Sequence, residues 1–220
     1  MNDHERGSAA SVLNELSAAQ LIQLQEGLLD HLKNGAEQPP FPATELWAVI
    51  AENHRSNIAL WDEEDQARRR DVPDSAIVRS KRLIDGYNQR RNDAVERIDE
   101  LILAALPTPA ASTRLHSETA GALIDRLSIL CLKAYHMELQ TRRADADPAH
   151  HELCRDRLGC LQEQRMDLGG CLDELLKNCA DGVLRFKVYR QFKMYNDPRF
   201  KSGDDCVSDM ASKENGSGGS

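Results

Sequence analysis

The sequence predicts an all-α fold: an antiparallel helical bundle of about five long helices plus a short basic C-terminal helix. Three observations point there. Apolar residues recur at steps of three and four over long stretches, the period of one helix face. Proline and glycine fall between those stretches, at Gly35, Pro39-Pro40, Pro73 and Pro107 to Pro109, where helices stop. Aromatic residues make up only 5% of the chain, thin for a β-sandwich, while 29% charged and 40% hydrophobic residues suit helices that bury one side.

Residues 1–10 read as disordered, and 11–200 as a single helical domain long enough for a real core. The first helix runs from Ser11 to about Lys33, with Leu13, Leu16, Leu21, Leu24, Leu28 and Leu32 on its apolar side and Asn34-Gly35 as its C-cap. The segment 38–42, QPPFP, is an extended connector. Thr44 caps a second helix that carries Glu45 in its first turn and reaches Arg70. A third helix opens at Pro73 and runs to Leu106, and Pro107 to Ser112 form a linker. The fourth, within 116–137, is capped by Ser117 or Thr119 and buries Leu123, Leu127, Leu130, Ala134 and Met137. Its S-E-T-x-G opening also offers backbone N–H groups to an anion. The fifth runs from about His150 to Cys179, with Leu153, Leu161, Leu168, Leu172 and Leu175 inward. Gly169-Gly170 inside it marks a kink or a close helix crossing. The short basic helix occupies 183–200, VLRFKVYRQFKMYNDPRF, in which cations alternate with aromatics. Residues 201–220 read as a disordered tail whose ENGSGGS end resembles an added linker.

The net charge of −8 argues against general nucleic-acid binding. No run of about 18 apolar residues is available for a membrane span. The opening MNDHERGSAAS lacks the basic and apolar regions of a secretory signal, so the expectation is a cytoplasmic protein. The six cysteines form no CxxC pair and read as buried reduced thiols; His150 and His151 near Cys154 are a faint hint of zinc.

The stretch Glu52–Arg68 departs from a plain bundle helix. Its inward stripe runs Leu46, Ile50, Asn53, Asn57, Leu60/Trp61, Glu64 and Arg68, with His54 and Asp65 beside it. Apolar residues give way to amides, then to tryptophan and charges. Such groups, buried unpaired, cost roughly 1–3 kcal/mol each, so they are solvated, mutually paired or turned to a ligand. The third helix also turns polar at mid-length, at Lys81, Asn88 and Arg91 with Asn92 alongside. A hairpin of these two helices brings the polar stretches into one site, to which Asp125 of the fourth helix and Arg190 and Lys193 of the basic segment can contribute.

Two functional classes fit. One is a binding or accessory protein, in which Arg68, Arg91 and the basic segment hold phosphate while Asn57 and Asn88 read polar groups. Its ligand is a phosphorylated or sugar-nucleotide-like small molecule or a protein partner, and no cofactor is expected. The other is a Mg²⁺-dependent phosphoester or nucleotide hydrolase using Asp62, Asp65, Asp93 and Glu96 as carboxylate ligands at steps of three. That spacing is similar to helical nucleotide pyrophosphohydrolases, although it departs from their E-E-x-x-E and E-x-x-D motifs. A structural homo-oligomer is the third alternative, since long leucine-striped helices pair readily. No G-x-S-x-G elbow is present; His54, His116 and His136 are the available acid–base groups, each more often structural.

Several blocks occur in one order: H-R-x-N-x-x-L-W-x-x-E-D at 54–65, Y-N-Q-R-R-N-D at 87–93, S-E-T-x-G-x-L-I-D-R-L-S-I-L at 117–130, K-x-Y-H-M at 133–137 and V-Y-R-Q-F-K-M-Y-N-D-P at 188–198. Together they resemble the bacterial family of domain of unknown function 4254, over most of 45–200. The resemblance implies a helical fold and an association with surface-polysaccharide assembly, with a glycosyltransferase-type protein as partner. It implies no particular reaction.

Overall fold

A computed structural model describes residues 16–190. Its helices are α1 (Ala18–Asn34), α2 (Glu45–Ala67), α3 (Asp74–Ala105), α4 (Ala120–Thr141) and α5 (Pro148–Ala180). Two short strands, β1 (Arg114–Leu115) and β2 (Leu184–Arg185), pair in parallel. The fold is an all-α bundle, as its apolar periodicity predicts. A compact unit ends at Tyr189, and a second begins at Arg190.

Side-chain oxygens close the helix starts. Ser17, Thr44, Thr119 and Asp147 accept from backbone N–H groups in the first turns of α1, α2, α4 and α5. α1 therefore starts later than the expected Ser11, although residues 11–15 lie outside the described residues. It ends at Gly35, whose φ of 72° lets its N–H reach the His31 carbonyl. α2 stops at Ala67 rather than Arg70, where the Arg68 N–H turns back to Asp65.

The hairpins α2–α3 and α4–α5 are antiparallel: Arg97 in the last third of α3 bonds Glu45 at the start of α2 at 2.9 Å, and Leu123 and Arg126 early in α4 share a cleft with Leu175 and Asn178 late in α5. α1, α2 and α4 nevertheless share one direction. Lys33 of α1 pairs with Asp62 late in α2, and Asn53 and Trp61 of α2 meet Asp125 and His136 of α4 in the same order. The connector 35–44 makes this possible. Extended, it spans roughly 30 Å, more than the roughly 25 Å of α1, so it can return the chain to the start of the bundle. It packs closely on the way: a Cβ at Gly27 would lie 2.7 Å from Pro39 Cβ.

α4 packs against each of the other helices. The main core joins Leu21, Leu24 and Leu28 of α1, Trp47 and Ile50 of α2, Ile98 and Ile102 of α3, Ile124 and Leu127 of α4 and Leu172 of α5. The expected close crossing at Gly169 is present, since a Cβ there would meet Ala18 Cβ at 3.0 Å. Leu32 and Leu153, expected inward, are exposed, as are Cys160 and Cys171; Cys131, Cys154 and Cys179 are buried. Burial pushes the Cys131 thiol up to about 12, so it packs as an inert small hydrophobe.

The basic C-terminal helix does not form over 183–190. Leu184 and Arg185 instead pair with Arg114 and Leu115, and Phe186 enters the core. Non-local backbone pairing and one buried aromatic outweigh the local helical spacing. The rest of that expected helix, 191–200, lies outside the described residues.

Candidate functional site

Asp125 is the hub of a polar cluster between α2, α3 and α4. Helical spacing puts Asn53 and Asn57 one turn apart on α2, and both face α4. Each Nδ2 donates to Asp125 Oδ1 at 2.9 Å. Asn57 Nδ2 also donates to Ser128 Oγ at 2.9 Å, and His54 Nδ1 lies 2.7 Å from the same hydroxyl. From α3, Arg91 Nε approaches Asp125 Oδ2 at 3.8 Å, an ion pair without a hydrogen bond at Nε. Asn53, His54, Asn57, Ser128 and Asp125 are buried, whereas the Arg91 side chain is 29% exposed. The cluster therefore runs from the core to a partly open edge.

His54 is neutral. Burial pushes it down to about 4; the Gln25 backbone partly offsets that shift without closing a hydrogen bond at Nε2, and Arg55 adds to it. Gln25 was not foreseen here. It stands among the leucines on the apolar face of α1, is fully buried and donates to the Ile124 carbonyl at 3.4 Å. Its Oε1 and Asn53 Oδ1 are further buried atoms without a hydrogen bond.

The expected site thus divides. Asn53, His54, Asn57, Arg91 and Asp125 come together. Asn88, half-buried one turn before Arg91, is outside the cluster's hydrogen bonds. Asn92 also makes its own contacts. Glu64, Asp65 and Arg68 do not join Arg91: Arg68 binds Glu64 at 3.2 Å and Asp65 at 3.0 Å, all three carrying well-exposed side chains. An arginine four residues after a glutamate finds it on the same helix before anything across the groove. Trp61 stacks on His136, ring centroids 4.3 Å apart and planes 10° apart, with Tyr135 edge-on to that histidine. Burial lowers the His136 pKa and Lys33 adds to the shift, opposed by Asp65 and Asp62. Arg190 is exposed and starts the second unit; Lys193 lies outside the described residues.

The carboxylates proposed for Mg²⁺ do not converge. Asp62 pairs with Lys33, Asp65 with Arg68, and Asp93 accepts from Gln89 at 2.6 Å, while Glu96 makes its own contacts. Among the described residues no group of three or more His, Cys, Asp or Glu side chains could hold a metal ion. No helix is long and apolar enough to cross a membrane.

The anion expected at the N-terminus of α4 is part of the chain. Asp99 of α3, buried, accepts the Gly121 N–H at 2.6 Å and interacts with the Thr119 side chain. Its sequence signal was a carboxylate one position from Ile98 on a core face. Burial pushes it up to about 6, with Glu96 adding to the rise and the Thr119 and Gly121 bonds opposing it.

Residues 47–188 match the family described as Protein of unknown function (DUF4254). The chain belongs to that family. The matched span holds the whole Asp125 cluster together with Asp99 and both strands of the β pair. No curated protein and no solved structure matches the chain.

Proposed function

We propose that this member of the DUF4254 family is a binding or accessory protein whose Asp125–Arg91 edge holds a phosphorylated or sugar-nucleotide-like ligand. The observation that carries this reading is the incomplete pairing at that edge. Arg91 lies 3.8 Å from Asp125 with its buried Nε unbonded, and its side chain is 29% exposed, so the guanidinium nitrogens beyond Nε can meet an incoming oxyanion. Asp125 Oδ2 remains an acceptor for a hydroxyl group, the complement a sugar presents. The two asparagines hold Oδ1 and fix the carboxylate in place. A role beside a glycosyltransferase-type partner in surface-polysaccharide assembly rests on the family resemblance alone.

The test is a thermal-shift titration with UDP-glucose, UDP and glucose 1-phosphate, with and without Mg²⁺. Ligand at 100 times its dissociation constant stabilises by roughly 2.7 kcal/mol, enough for a shift of several degrees. The shift is expected without Mg²⁺ and without turnover, and it disappears in Arg91→Leu. No shift with any of the three, or an equal shift in Arg91→Leu, overturns the reading. A second reading has its own observation: Asn53, His54, Asn57, Asp125 and Ser128 are all buried and joined in one hydrogen-bond network. It makes the network a device that aligns α2 on α4, in which case Arg91→Leu loses no ligand and Asp125 variants lose stability only.

A further inference from the structure

The opposite side of α4 carries a separate cleft. A chamber of about 500 Å³ lies between α4 and α5, lined in part by Arg126, Ile129, Leu130, Lys133 and Leu168. A second chamber of about 410 Å³ lies toward β1, with Leu123, Leu175 and Leu184 in its lining. Arg126, Leu168 and Cys171 line both, so the two chambers adjoin.

The first chamber has a definite charge layout. Arg126 and Lys133 are two helical turns apart on one face, about 10 Å of rise, with Ile129 and Leu130 between them. Their long side chains can close that gap from both ends. Asp167 is the sole carboxylate in this lining, against two cations. Lys133 is exposed and has no ion pair among the described residues. Among the described residues Arg126 is tied only to Glu118, at 3.5 Å, with both side chains about half exposed. Such a half-exposed surface pair is weak, so an incoming anion can displace it.

We propose that this cleft binds a phosphate monoester with an apolar body. The phosphate sits between Arg126 and Lys133, whose two charges match its own. The body lies on Ile129, Leu130 and Leu168 and extends toward the leucines of the second chamber. Asp125 and Arg126 are consecutive but face different neighbours, so this site is independent of the Asp125–Arg91 edge.

Cys171 is a built-in reporter, because it is exposed and lines both chambers, whereas Cys160 is exposed on the same helix outside them. The full chain is alkylated with iodoacetamide and each cysteine followed by peptide mass spectrometry, with 1-naphthyl phosphate as probe. Labelling of Cys171 is expected to slow about five-fold at four times the dissociation constant, the factor 1 + [L]/Kd, with Cys160 unchanged. Inorganic phosphate or 1-naphthol alone protects far less. Protection is lost in Arg126→Gln/Lys133→Gln, exposed positions whose change leaves the core intact, and retained in Arg91→Leu. Unprotected Cys171, equal protection by 1-naphthol, or full protection in the double variant overturns the proposal.

Discussion

Asp99 of α3 sits against the N-terminus of α4, where its carboxylate accepts the Gly121 N–H at 2.6 Å. The unpaired N–H groups of that helix end, and its positive dipole, are met by a side chain of the neighbouring helix. The close approach depends on glycine. A Cβ at Gly121 would lie 2.5 Å from the Val95 carbonyl oxygen and 3.0 Å from Asp99 Cγ.

Gly121→Ala is therefore expected to destabilise by about 1–3 kcal/mol, since backbone must move to admit the methyl group. Gly86→Ala on α3 is the control, because nothing lies within 4 Å of its Cβ position. It gains about 1 kcal/mol of helix propensity instead. Urea denaturation of both variants checks the opposite signs.

Asp99 carries a pH signature. Its folded value of about 6 lies above the ordinary 3.8, so between those values the folded chain keeps a proton that the unfolded chain has released. Stability falls as pH rises through that window, by up to about 3 kcal/mol, and is flat above it. Asp99→Asn keeps an acceptor for the Gly121 N–H and removes the ionisation. Its stability, measured from pH 4 to 7, is expected to rise more steeply with pH than that of the unmodified chain, in which Asp99 offsets His54. An unchanged slope would place the ionisation elsewhere.

His54 acts in the opposite direction. Its folded value of about 4 lies below the ordinary 6.5, so the unfolded chain takes up a proton that the folded chain refuses. This contribution, about 3 kcal/mol at most, is complete above pH 6.5 and lost as pH falls toward 4. The two groups partly cancel in the native chain. His54→Gln is expected to be less stable at pH 7 and to show a shallower acid loss than the unmodified protein. A steeper acid loss in that variant would contradict the assignment.

Asp125→Ala removes the acceptor shared by Asn53 and Asn57 and leaves Arg91 without its carboxylate. The expected loss is about 3–5 kcal/mol, the range for breaking a buried charged network from one side. Asp125→Asn retains an oxygen and is expected to lose less than half as much. Equal losses would mean that packing volume matters at this position rather than hydrogen bonding.

The helical period made much of this legible. Asn53 and Asn57 share a face by spacing alone, and so did the polar middle of α3 that supplies Arg91. What spacing cannot say is which neighbour a face meets. Glu64 and Arg68 have the same periodicity as Asn57, yet they satisfy each other locally. Asp99 and Gln25 interrupt otherwise apolar faces, and their burial depends on α4 and its N-terminus lying beside them. The pairing of Leu184 with Arg114 joins segments far apart in sequence and leaves no periodic trace, which is why a helix was expected there. The shared direction of α1 and α2 likewise depends on a connector whose route passes Pro39 close against Gly27.

The β1–β2 pair has a kinetic meaning. Arg185 Nε donates to the Thr113 carbonyl across 72 residues of chain, and the His116 N–H reaches the Arg185 carbonyl at 2.8 Å. Closing so long a loop is entropically unfavourable until something else has brought its ends together. Docking α5 on α4 does that, so the two strands act as a latch that shuts only on a completed hairpin. In refolding, protection of the His116 amide from exchange marks the moment at which the second half of the bundle is finished.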